Sequence, residues 1–253
     1  MSVALDELVG HLEETLQPQR FQDYCPNGLQ VQGKPRVARL VTGVTACQAL
    51  LDAAIAWQAD AVLVHHGYFW KGESPLIVGM KRRRLGLLLQ HDVSLLAYHL
   101  PLDAHVELGN NACLGKLLGI VEQFPMDPSK PEALGNIGSL PGPVLASALV
   151  SRLATLTGRA PLYIGDPDRP VQRLAWCTGA AQSWIEAAYA AGADLFITGE
   201  ASEQTVHFAR EEGIGFIAAG HHATERYGVQ ALGEHLAGHF GIEHRFIDIE
   251  NPV

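Results

Sequence analysis

Short apolar runs alternate with helix-length stretches along nearly the whole chain, and that alternation restricts what it can fold into. Residues 37–44, 61–65, 93–98, 172–177, 194–198, 214–219 and 244–249 read as strands. Between them, 4–16, 46–58, 80–90, 109–118, 143–157, 181–191, 202–212 and 224–239 read as helices; in the first, Leu5, Leu8, Leu12 and Leu16 recur at spacings of three and four. Pro26-Asn27-Gly28 reads as a turn. Such alternation favours α/β over all-α or all-β. Pro125, Pro128, Pro131 and Pro141 mark 121–141 as a connector, giving two α/β halves, 1–127 and 128–253.

The halves echo each other. Shifted by 134 positions, 40–66 falls on 174–200 with 8 of 27 residues identical, among them Leu40 on Leu174, Gln48 on Gln182 and Asp60 on Asp194. Several matches are alanines, which helices favour in any case. The shift also lays His65-His66 on Gly199-Glu200, each directly after an apolar strand. The expected architecture is two related α/β halves whose strand ends meet at a shared cleft holding a metal site, because open α/β sheets bind ligands at the carboxyl ends of their strands.

Composition narrows the functional classes. A content of 47% hydrophobic and 18% charged residues fits a folded chain with real cores. No apolar stretch approaches the roughly 20 residues of a membrane span, and Asp6, Glu7, Glu13 and Glu14 do not suit a signal peptide, so a cytoplasmic location is expected. A net charge of −9 opposes nucleic acid as a partner and leaves a small-molecule substrate. Lys81-Arg82-Arg83-Arg84 is a local exception, either a solvated helix start or a small patch for phosphate groups. Cys25, Cys47, Cys113 and Cys177 form no CxxC pair and read as ordinary core or surface residues.

Half of the 12 histidines gather with carboxylates in three clusters. His65 and His66 end a strand; as neighbours they would point to opposite faces unless the chain bends, which Gly67 permits. His99 and His105 flank Asp103 in a segment that Pro101 should keep as a loop. His221 and Glu225, four apart, would share one face of a helix beginning near 222, with His222 turned elsewhere. Imidazole and carboxylate donors together suit a divalent transition ion. No P-loop and no paired GxGxxG accompanies them.

Five motifs stand in a recognisable order: Asn27-Gly28-Leu29-Gln30-Val31, Val64-His65-His66-Gly67, His99-Leu100-Pro101-Leu102-Asp103, Thr198-Gly199-Glu200 and Gly220-His221-His222-Ala223-Thr224-Glu225. Over nearly its whole length the chain resembles the NGG-one-interacting-factor-three-like dinuclear-metal proteins, in their short bacterial form, often labelled type-two GTP cyclohydrolase homologues. The resemblance implies that His65, His66, Asp103, His221 and Glu225 ligate two divalent ions (Fe, Mn, Zn or Co), with a carboxylate bridging. It leaves His99 and Glu200 as proton-transfer residues and implies a homohexamer. The function expected from it is metal-dependent hydrolysis of a nucleotide or related purine; the alternative is a non-catalytic ring that stores or delivers metal or acts as a scaffold.

Overall fold

The structure, a computed structural model, describes residues 1–129 and 134–253; Pro131 of the expected connector lies outside the described residues. The chain forms two compact units, Met1–Leu102 with Gly228–Ile249, and Asp103–Tyr227 with Glu250–Val253. The described parts of the proline-rich stretch belong to the second unit. Gln123–Pro125 and Asn136–Leu145 are antiparallel neighbours inside the second unit, with Phe124 opposite Ile137. The first of these is the edge strand, where a proline costs no ladder bond.

The first unit is built on a five-stranded sheet in the order Glu243–Phe246, Arg39–Thr45, Ala61–His66, Ser94–Ala97, Gly28–Val31. The first four strands are parallel and the last is antiparallel to its neighbour. Gly28, the last residue of the expected turn Pro26-Asn27-Gly28, opens this last strand. Helices Gln48–Ala56 and Gly79–Gln90 make the crossovers. One face packs Val41, Val62, Val64 and Leu95 against Leu50, Leu51 and Leu88. Central parallel strands are covered on both faces, which is why they read as unbroken apolar runs. Helix Leu5–Leu16 buries Leu5, Leu8, Leu12 and Leu16, as the spacing predicts.

The second unit has six strands in the order Gln123–Pro125, Asn136–Leu145, Pro170–Trp176, Leu195–Thr198, Gly215–Ala218, Leu162–Ile164. Pro170–Trp176, Leu195–Thr198 and Gly215–Ala218 are parallel, and antiparallel strands flank them. One core gathers Leu114, Leu149, Leu153, Leu174, Trp176 and Ile197, and a second lies around Ile185, Phe196 and Phe216.

The 134-residue echo proves structural. Leu40 pairs with Ala61 and Leu174 with Leu195, so the register itself repeats at that shift. Asp60 accepts the backbone N–H groups of Ala38 (2.9 Å) and Arg39 (3.1 Å). Its counterpart Asp194 accepts those of Gln172 (2.9 Å) and Arg173 (2.8 Å), the positions 134 further on. Each carboxylate therefore pins the entry of the first parallel strand to the start of the second. This shared duty explains an identity that alanine-rich composition does not.

Candidate metal centre

In the first unit the donors sit where two parallel strands end. His65 is buried at the penultimate position of Ala61–His66, and its Nδ1 lies 3.0 Å from the Tyr98 carbonyl oxygen. His66 Nδ1 lies 3.2 Å from Thr45 Oγ1. The two rings are 4.6 Å apart at 45°, and one ligating atom each of His65, His66 and His99 lies within 4.8 Å of the others. Adjacent strand residues are thus brought to one place despite the pleat. Gly67 contributes through close packing and not through an unusual backbone: a Cβ there would meet the Ala97 Cβ at 2.6 Å, and Gly67 is absent from the positive-φ residues.

The Asn27-Gly28-Leu29-Gln30 motif supports this end of the sheet. Asn27 Oδ1 accepts the His99 N–H (2.8 Å), while Gln30 accepts the Tyr68 N–H (2.8 Å) and donates to the Tyr68 carbonyl (3.1 Å). Asp23, which no sequence pattern singled out, holds His99 Nδ1 at 2.7 Å and accepts from Asn27 Nδ2 and the Leu100 N–H. Asp23 lies between helix Leu5–Leu16 and strand Gly28–Val31, outside any periodic element, and its partner is 76 residues away.

In the second unit, Asp103 lies on a short helix, Leu100–Ala104, instead of the expected loop. Pro101 occupies its first turn, where a missing N–H costs nothing. Asn110 Nδ2 donates to Asp103 Oδ1 at 2.9 Å, and Thr178 Oγ1 donates at 3.3 Å. His105 instead holds a turn, accepting the N–H groups of Glu107 and Leu108. His221 opens a four-residue helix, and Glu225 caps its end before the long helix Arg226–Phe240 begins. His221 Nε2 is 3.2 Å from Glu225 Oε2, and His221 Nδ1 is 2.7 Å from Glu200 Oε1. Burial pulls the His221 imidazole down, but Glu225 and then Glu200 outweigh it and push its pKa up to about 9. Gly179, at φ 72°, completes this arrangement: a Cβ there would run into the Glu225 carboxylate.

The donor set fits a transition metal on its own geometry. His65 and His221 each commit Nδ1 to an oxygen, which fixes the ring, an arrangement common in histidines that could hold a metal through Nε2. Asp103 and Glu225 are buried, with carboxylate oxygens within 4.8 Å of each other, a pairing that repels unless a cation or proton lies between them.

Other candidates carry less chemistry. Lys81 is spent on Glu73 (3.2 Å) and the Phe69 ring (4.9 Å), so the basic run is not a set of four free cations. Burial pushes the Cys25 thiol up to about 12 and raises that of Cys177, which suits inert core residues. No described helix is long and apolar enough to cross a membrane.

The model of the Duf34/NIF3 (NGG1p interacting factor 3) family matches residues 3–252. A Pseudomonas aeruginosa protein named GTP cyclohydrolase 1 type 2 homolog is 58% identical over 253 residues, covering 100% of both chains. A solved structure described as protein ybgI, of unknown function, superposes with a TM-score of 0.94 at 54% identity, covering 99% of this chain and 100% of that one. One from Thermus thermophilus gives 0.90 at 38% identity, with the same coverage.

Proposed function

This chain belongs to the Duf34/NIF3 family, and on that premise we propose that it is a metal-dependent hydrolase in which His65, His66, Asp103, His221 and Glu225 hold two divalent transition-metal ions. The observation that carries the reading is that His65 is held at Nδ1 by the Tyr98 carbonyl, and His221 at Nδ1 by Glu200 with its Nε2 facing Glu225. Mixed imidazole and carboxylate donors suit Fe, Mn, Zn or Co better than Ca or Mg. Such ions supply Lewis acidity and a water acidic enough to attack at neutral pH.

The substrate class we propose is a guanine nucleotide, from the name its relatives carry. The reaction is hydrolytic opening of the imidazole portion at C8, with release of formate. In this reading His99, held at Nδ1 by Asp23, moves a proton at Nε2. Glu200 acts first through His221, whose ring it fixes; its Oε2, which that bond does not use, is the atom for proton transfer.

The test is purification without added metal, elemental analysis, then incubation of iron- or manganese-loaded protein with GTP. Two ions per chain, with formate released by wild type and not by His65→Ala, are expected. Metal uptake without turnover over a broad nucleotide panel would convert the protein into a metal-holding one. Absence of stoichiometric metal after reconstitution would remove both.

A further inference from the structure

Beside Glu200 the second unit contains a cavity of 510 Å³, lined by Arg159, Leu162, Gly199, Glu200, Ala218 and Val253 among others. That volume is in the range of small-molecule sites. Among the described residues that line it, Arg159 alone carries a positive charge.

Arg159 is placed there by the end of a helix. Ala146–Thr157 stops at Gly158, which adopts the left-handed conformation (φ 73°), and Thr157 Oγ1 donates to the Arg159 carbonyl at 3.2 Å. The guanidinium lies against the backbone of Gly220, the residue before His221. A Cβ at 220 would sit 2.6 Å from Arg159 Nη1 and 2.9 Å from its Cδ. Gly220 also has φ 102°, so both its conformation and its bare surface are used. Nη1 is buried and has no hydrogen-bond partner among the described residues. A guanidinium is always charged, and a buried donor left unmet is costly.

We propose that Arg159 anchors an oxyanion of the bound ligand, a phosphoryl or carboxylate group, and so sets which molecules enter beside Glu200 and His221. The planar guanidinium fork matches such groups with two parallel bonds, which a lysine ammonium cannot do. Glu200 is already engaged by His221 at 2.7 Å, so the anion belongs at the arginine end of the cavity and the rest of the ligand towards Glu200. The inference rests on the hydrolase reading only in calling this ligand the substrate.

The experiment measures binding of GTP, guanosine and pyrophosphate by calorimetry on the full chain, both chelator-treated and metal-loaded. GTP is expected to bind at least tenfold more tightly than guanosine. Arg159→Gln should erase that difference and leave guanosine unchanged, while Arg159→Lys should keep the charge and lose about fivefold. Circular dichroism checks the fold, and if the glutamine variant fails to fold, the lysine variant decides alone. Arg159-dependent pyrophosphate binding without any GTP binding upholds the anion site and overturns the nucleotide. Wild-type affinity for every anion in both variants overturns the inference. Unchanged GTP turnover and KM in Arg159→Gln does so too, while leaving the hydrolase reading intact.

Discussion

Asp23 shows how much a single side chain can owe to its surroundings. Burial would raise its carboxyl, but the hydrogen bond and charge of His99, then Asn27 and the Tyr24 N–H, hold it below the usual carboxylate range. An anion kept ionised in this way orients the His99 ring. If His99 moves protons, Asp23→Asn should lower kcat about 100-fold, in the range of general acid–base effects, with metal content unchanged. Wild-type turnover in that variant would take His99 out of the proton path. His11 behaves in the opposite sense. Its Nε2 is 2.9 Å from His235 Nε2, and its ring stacks on His239 at 4.1 Å. Burial, then His239 and His235, lower its pKa from 6.5. A base whose pKa is lowered by folding supports the native state above the unfolded value and withdraws that support as pH falls below it. Urea midpoints at pH 7 and pH 5 should therefore fall further in wild type than in His11→Gln; equal falls would assign the acid sensitivity elsewhere.

At the scale of elements, the paired aspartates decide how the two repeated strand–helix–strand segments begin. Asp60 takes two backbone N–H groups and Lys34 Nζ at 2.8 Å. Burial raises its pKa, yet Lys34 and the N–H groups of Ala38 and Arg39 outweigh burial and lower it. Its contribution is therefore present above the unfolded value and lost as pH falls through the folded one. Hydrogen bonds to a charged group contribute about 1.5–3 kcal/mol, so Asp60→Asn and Asp194→Asn should each lower unfolding stability by roughly that amount at pH 7. Equal losses would show that the duplicated residues keep the same duty, and no loss in either would show that the strand entries hold without them. The same scale explains Glu225. It caps a single helical turn, so its reach depends on where that turn stops and not on helical spacing alone.

For the whole molecule, the cores consist of apolar side chains between helices and sheets, and the proposed ligands lie at strand and helix ends. Chelation should therefore leave the far-ultraviolet spectrum intact while lowering the melting temperature, because ligands that bind only the native state stabilise it by mass action. Unfolding on metal loss would make the ions structural. Glu225→Ala should lose at least one ion with the fold retained, and His222→Ala should keep both. The homohexamer that the family resemblance implies is tested by light scattering at micromolar concentration, where a monomer would rule it out.

The α/β class, the crossover helices and the repeat were readable in the sequence because burial on both faces of a parallel strand and the 3.6-residue period of a helix both leave local signatures. His65, His66, His99 and His221 could be picked out because they follow such strands directly. Three things were not readable. Gln123–Pro125 pairs as a sheet edge, Asp103 sits on a helix despite Pro101, and Asp23 and Gly179 serve partners 76 and 46 residues away or at close approach. Local propensity fixes which segments can be strands or helices. Which edge strand is accepted, which carboxylate meets which imidazole, and where a glycine must stay bare depend on side chains from distant segments reaching one place, and only tertiary packing decides that.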